Sequence, residues 1–403
     1  MPAPAIHNIA PNHSVKKCMT RNGKLRTFTV ICGNEGVKIP NFKEVQVSTM
    51  TIIAFTNLVI NTDKLYKYLP ITDYTLVKKK RGRKKKVHVE DPNQDVPAGS
   101  IIALTKKRCI RGVILKPNKR KKSKTYFLHS VSVVMVLDDG KLINVKVSRK
   151  GKLQMTGCKS IKHAIDFIKY LYSTMIEAEE WTGETMFSYK TKEDEEDNDE
   201  VLEDPNGEDD VSENNPQDMF ESDPDLDREK TDGLTVVFKT AMMNLDFDIG
   251  YRIRRDLLNI YINRYTEFRS IFESSIKTSV NVKLGAHNKY DRNLPRLRIT
   301  AQGQCIEDSI PCEEFLSSLS KKELKTENKK EPYHTFLVFA SGSIIMSSTG
   351  LEMPDIFNRF VKILVDHRKQ IEEINDQNVS IDTSWLDKGS SALPPADPLV
   401  EII

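Results

Sequence analysis

The amino-acid sequence predicts an α+β fold built from two similar units, and three observations lead there. Apolar residues alternate in short strand-like runs, among them STMTIIAFTNLVI (48–60) and TVVFKTAMMNL (235–245). Each half then closes on a long stretch with helical spacing, SIKHAIDFIKYLYSTMIEA (160–178) and PDIFNRFVKILVDHRKQIEEI (354–374). Between the halves lies a tract of acidic residues with almost nothing apolar in it.

Taken in order, the first half opens on the strand at 48–60 and enters a short helix at TDKLYKYLP, which Thr62 or Asp63 is placed to cap. SVSVVMVL (130–137) and LINVKV (142–147) flank the turn Asp138-Asp139-Gly140-Lys141, a hairpin signal. A second tight turn, SRKGK, leads into KLQMTG. The closing helix carries Ile161, Ile165, Ile168 and Leu171 on one stripe. In the second half, helical spacing runs through Ile253, Leu257 and Tyr261, SVNVKLG and PRLRITA read as strands, and HTFLVFASGSIIMSS reads as a hairpin around Ser341-Gly342. Pro354 suits the first turn of the last helix. The shared element order points to a divergent duplication; two unrelated α+β domains are the alternative.

The predicted organisation is an N-terminal extension (1–40), a first unit (41–180) with basic insertions at 76–100 and 116–125, and an acidic disordered linker (181–232). A second unit (233–376) with an insertion at 303–333 and a flexible tail (377–403) follow. Over its 403 residues the chain is nearly neutral at +4. That value hides a segregation: Lys192 to Lys230 holds 19 acidic and three basic residues, so the remainder carries +20. An excess of that size suits a polyanionic partner. The acidic tract cannot offset its ordering entropy by burial. It is read as a solvating tether, with folding back over a basic surface as the alternative.

Six cysteines (Cys18, Cys32, Cys109, Cys158, Cys305, Cys312) form no CxxC pair, which points to a reducing compartment without a disulfide framework. The apolar runs are too short to cross a bilayer and MPAPAIHNIAPNHS lacks a signal-peptide layout, so a soluble intracellular protein is expected. No GxxxxGK[ST], HExxH or GxSxG occurs, and the eight histidines are scattered. Neither catalysis, a cofactor nor a metal site is predicted.

Three segments carry a family resemblance. KGKLQMTGCKS (150–160), followed by a long amphipathic helix, resembles the SGK-x-x-x-TGAKS segment of TATA-box-binding proteins. FLVFASGSIIMSSTG (336–350) is similar to that family's LLIFVSGK-x-x-LTG hairpin, and TIIAFTNL (51–58) to its NIVSTVNL strand. The resemblance touches the core elements of both halves, about half of the chain. It implies a duplicated saddle: two repeats of a curved antiparallel sheet, with the long helices on its convex back. The concave face of such a saddle binds and kinks the minor groove, unstacking being offset by greater contact. TATA-like steps are favoured there because they unstack cheaply.

By strand alternation, the resemblance puts Thr51, Ile53 and Phe55, then Lys152, Gln154 and Thr156, then Ser343, Ile345 and Ser347 on the DNA side. Phe238, Thr240 and Met242 are the expected counterparts on the second opening strand. Phe339 matches a wedge phenylalanine, with Val147 at the corresponding place in the first half on a turn one residue longer. Phe127, Ile110 and Ile276 are candidates for the other wedge pair. The family's groove-reading asparagine is replaced by Thr51 in the first half and has no clear counterpart in the second. That puts TATA specificity in doubt.

KKKRGRKKK (78–86) offers Arg81 and Arg83, either as an AT-hook or as a nonspecific phosphate contact or localisation run; Lys84 stands where an AT-hook has proline. KPNKRKKSK (116–124) is a second basic loop. The resemblance implies a transcription initiation factor that binds AT-rich promoter DNA, bends it, and recruits a general initiation factor and RNA polymerase. The rival is an interaction scaffold that has lost DNA binding. An internal two-fold makes a monomer sufficient. The insertions suit a large DNA virus or a fast-evolving unicellular lineage. The expected compartment is a nucleus or a cytoplasmic viral factory, and packaging in the virion is compatible with either.

Overall fold

In the computed structural model, the structure describes residues 40–76, 92–115, 129–190, 233–275, 278–286, 292–329, 332–349 and 352–373, together with two strand segments near the N-terminus. Both basic clusters with Arg81 and Arg83, the acidic tract, the C-terminal tail, Phe127 and Ile276 lie outside the described residues.

The fold is α+β, with a large antiparallel sheet and several helices. A short hairpin, β1 (Ser14–Met19) and β2 (Leu25–Val30), stands in the N-terminal segment. β3 (Val47–Thr56) and β4 (Leu58–Ile60) lead into α1 (Thr62–Tyr68). The cap of α1 is Asn61 rather than Thr62 or Asp63: its side-chain oxygen accepts from the Asp63 and Lys64 amides at 3.1 and 3.0 Å. β5 (Ile101–Lys106) and β6 (Cys109–Gly112) follow, then β7 (Ser130–Val136), β8 (Leu142–Ser148) and β9 (Lys152–Cys158). β7 and β8 join through the expected turn, with Gly140 at φ 71° and the Asp139 carboxylate accepting from the Lys141 amide.

α2 (Ile161–Thr182) buries the predicted stripe through Ile165, Ile168 and Leu171, adds Phe167 and Met175, and ends at Gly183 with φ 70°. The chain then forms β10 (Phe187–Tyr189), which pairs with β4. Regular structure is thus present at Phe187–Tyr189, within the span 181–232 expected to be linker.

The second half opens on β11 (Leu234–Asp248) and α3 (Arg255–Tyr265), then β12 (Arg269–Ile271), β13 (Val280–Gly285), β14 (Asn293–Ile299) and β15 (Cys305–Pro311). Two short helices, α4 (Cys312–Ser317) and α5 (Lys321–Asn328), precede the hairpin of β16 (Tyr333–Val338) and β17 (Ser343–Ser348). α6 (Met353–Asp366), with proline in its first turn, and α7 (Arg368–Ile371) complete the described chain.

The sheet runs β12-β13-β16-β17-β11-β3-β9-β8-β7-β5-β6, and the hairpin of β14 and β15 attaches to the first residues of β11. Outward from the central β3·β11 pair the connectivity is mirrored: the closing strand of each half flanks its own opening strand. Gly151 and Gly342 show how closely the halves correspond. Each has positive φ, and a Cβ on either would lie 2.1 Å from a backbone carbonyl, that of Leu58 or of Tyr251. The carbonyls of these glycines accept from Thr56 and Ile249, at 3.0 and 3.1 Å.

One face of the sheet carries the long helices. Ile52, Ala54, Val145, Leu153 and Met155 pack with α2, and Phe247, Phe336, Ile344 and Met346 join the cluster formed with α6. Phe336 stacks on Phe360 with ring centroids 4.0 Å apart. PRLRIT forms β14, which pairs with the inserted strand β15 and with β11; the insertion thus begins earlier than residue 303.

Candidate nucleic-acid interface

Because side chains alternate across a strand, a strand whose odd members are buried under the helices displays its even ones on the opposite face, or the reverse. On β3 this leaves Thr51, Ile53 and Phe55 partly exposed, and on β9 Lys152, Gln154 and Thr156. Register ties them together: Thr51 lies opposite Thr156, Ile53 opposite Gln154, and Phe55 opposite Lys152. The Lys152 ammonium sits 4.8 Å from the Phe55 ring centroid. On β8, Asn144, Lys146 and Ser148 continue the same face, and the Thr156 hydroxyl donates to the Asn144 carbonyl at 3.2 Å.

In the second half Ile345 and Ser347 are partly exposed on this face, and Phe339 is 36% exposed at the hairpin tip. Farther out, Ile271 is 71% and Tyr333 45% exposed, with the Lys283 ammonium 5.6 Å from the Tyr333 centroid. Large apolar side chains left open beside cations suit a partner that offers both flat apolar surface and negative charge. Ile110 is also exposed, near the opposite end of the sheet.

Several expected positions are corrected. Val147 is wholly buried beneath the helices, since it pairs with Leu153, a core residue of β9. The residue corresponding to Phe339 is Ser148, and the two turns have equal length: Gly151 donates to the Ser148 carbonyl as Gly342 donates to that of Phe339. Phe238 is fully buried, and Thr240 lies opposite Ile52 on the helix face. Between Thr240 and Met242 the register shifts. This bulge turns Met242, opposite Thr51 and 39% exposed, to the open side. Simple alternation without the bulge puts all three residues on one face.

Two features of the open face were not read from the sequence. First, Asp246 and Asp248 stand on it, opposite Ile345 and Ser343, and accept from the hydroxyls of Ser48 (3.2 Å) and Ser343 (2.9 Å). Their charge opposes an anionic partner over that strip. Second, the insertion folds over the centre. Phe315 of α4 is 1% exposed and meets the Phe55 ring edge-on at 4.9 Å, in a cluster with Val237, Leu294, Ile310 and Cys312. Burying such a ring stabilises its seat by about 1.5–3 kcal/mol. On α5, the buried Glu327 forms an ion pair with Lys239 of β11, whose side chain is 13% exposed. Lys239 lies opposite Ile53.

The base of the insertion is pinned separately. Arg296 donates twice to Asp308, at 2.8 Å each, and this fork holds the Asp308 carboxyl at about 2, below the usual carboxylate range. Lys169 of α2 bonds Glu307 of β15 at 2.7 Å.

One serine–histidine grouping and one cysteine among the described residues are shut in. Ser348 and the ring of His334 share a hydrogen bond of 2.8 Å with Glu352 3.5 Å beyond, but serine and histidine are 4% and 0% exposed, so no substrate reaches them. Burial raises the Cys158 thiol to about 11, which leaves it protonated and inert. Among the described residues no cluster of three His, Cys, Asp or Glu could hold a metal ion, and no helix is long and apolar enough to cross a membrane.

Among solved structures, the chain is similar to a TBP of Methanococcus jannaschii. Identity is 12% and the TM-score 0.32, over 81% of this chain and 97% of that one. A likeness at this level assigns neither family nor function. No family model matches the chain, and no curated protein matches it.

Proposed function

We propose that this protein is a DNA-binding transcription initiation factor of TATA-box-binding type, built as a duplicated saddle, which engages AT-rich promoter DNA from the minor groove through the sheet face opposite its long helices. The observation that carries the reading is the mirrored strand order about β3·β11 with all the long helices on one side. One broad face is thereby left to a partner. Gly151 and Gly342, held against equivalent carbonyls, support descent of both halves from one unit. Exposed Phe339 at a hairpin tip is suited to enter a base step, while Lys146 and Lys152 meet phosphates. The helix-covered back, bearing α2 and α6, is the surface offered to an initiation factor and RNA polymerase.

A second reading has its own support: Asp246 and Asp248 on the open face, together with α4 over Phe55, suit a scaffold that binds protein and no DNA. Fluorescence energy transfer on end-labelled AT-rich and GC-rich duplexes, at several salt concentrations, separates the two. AT-preferring binding with a bend that Phe339→Ala abolishes is expected. Absence of salt-dependent binding gives the chain to the scaffold reading, and binding without bend or preference reduces it to a DNA coat.

A further inference from the structure

The insertion between β13 and β16 has two parts held in different ways. β14 and β15 are hydrogen-bonded into the sheet, with Leu297 and Ile299 in the core beneath the helices. The helices α4 and α5 sit on top of the open face. Of the eight residues of α5 only Glu327 is buried, so that helix is seated through a charged group and offers no apolar stripe. α4 contributes chiefly Phe315 and Cys312.

What these side chains supply is chemically specific. Glu327 places an anion on Lys239, and Phe315 places an aromatic ring on Phe55. A nucleic acid would bring the same two things to this strip, a phosphate oxygen for the lysine and an unsaturated apolar surface for the ring. Under the cover the Lys239 side chain is 13% exposed and its ammonium faces the Glu327 carboxylate. A phosphate oxygen can take the place of that carboxylate through the same kind of charge-assisted contact.

We propose that α4 and α5 form an intramolecular cover that imitates nucleic acid on the centre of the open face, and that duplex DNA and the cover compete for Phe55 and Lys239. This rests on the DNA-binding reading above. The cover sets a threshold: weak, nonspecific duplex contacts fail to displace it, and only a site offering further contacts along the sheet does.

The first test is hydrogen exchange on the full chain, with and without a saturating AT-rich duplex. Amides of Cys312–Asn328 are expected to lose protection on binding while those of β3 and β9 keep or gain it. The second is duplex affinity by fluorescence anisotropy for Glu327→Gln and Phe315→Ser, each expected to bind about tenfold tighter than the parent, or ~1.4 kcal/mol. Duplex binding that leaves the cover protected, with variants equal to the parent, overturns the cover and leaves the DNA reading standing. If neither parent nor variants bind duplex, both ideas are lost. The exchange experiment needs no substitution, so a variant that folds poorly does not decide the outcome.

Discussion

Phe336 and Asp308 show how much individual side chains contribute in two different ways. Phe336 is wholly buried and stacks on Phe360 with an interplanar angle of 23°. Phe336→Ala therefore removes both transfer energy and packing, and is expected to cost about 3–5 kcal/mol in chemical denaturation; a loss under about 1 kcal/mol means that the site collapses around the gap. Asp308 acts through charge. Its carboxyl titrates at about 2 because Arg296 grips it, against ~3.9 for an unfolded aspartate. A lowered folded value stabilises the protein above about pH 4, and that contribution fades as the pH falls toward about 2. Melting curves of Asp308→Asn and the parent should therefore differ at neutral pH and converge in acid; a constant gap rules out the ion pair as the source. Ser148 at the turn position equivalent to Phe339 is the sharpest single-residue asymmetry between the halves. On the proposed DNA-binding reading, it makes the second half the end where a duplex is wedged.

Turns and caps are where single elements depend on one residue. At Gly342, with φ 94°, a Cβ would lie 2.1 Å from the Tyr251 carbonyl. Gly342→Ala must therefore move the turn of the β16–β17 hairpin away from the Tyr251 segment that follows β11, at more than about 1 kcal/mol. Gly151→Ala should do the same to the β8–β9 hairpin, and a thermal melt of either variant unchanged from the parent contradicts the geometry. Asn61→Ala removes the cap of α1, worth about 1 kcal/mol, measurable in the same assay. Elements legible in the sequence were those whose pattern is local: β3, the Asp-Asp-Gly-Lys turn, the stripe of α2 and the proline start of α6. PRLRIT was legible as a strand but not as part of the insertion. Alternation states that a segment is extended, whereas its partners, β15 and the first residues of β11, come from far along the chain.

For the molecule as a whole, the charge segregation and the open face combine into one expectation. If Lys152 meets a phosphate, Lys152→Gln lowers the slope of log affinity against log salt by about one, whatever the duplex sequence. Anisotropy titrations at several salt concentrations read this directly, and an unchanged slope removes Lys152 from the interface. Asp246 and Asp248 act in the opposite sense, so Asp246→Asn should strengthen duplex binding. The sheet's centre, formed by β3 and β11, is also where the insertion sits. On the proposed reading, affinity, cover and charge are linked through one strip of the molecule.

Local pattern alone was enough to establish the α+β class, many strand and helix positions and the acidic tract; which side of β3, β9 and β17 is a surface came from the family resemblance. The former follow from periods of two and about 3.6 residues and from composition, which neighbouring residues carry between them. Three-dimensional packing alone decided that a bulge after Thr240 turns β11 over, that Ser148 and not Val147 occupies the place equivalent to Phe339, and that α4 and α5 lie on Phe55 and Lys239. Each of these depends on residues distant in sequence. A side chain does not encode its remote partner; it meets that partner only once the chain has closed.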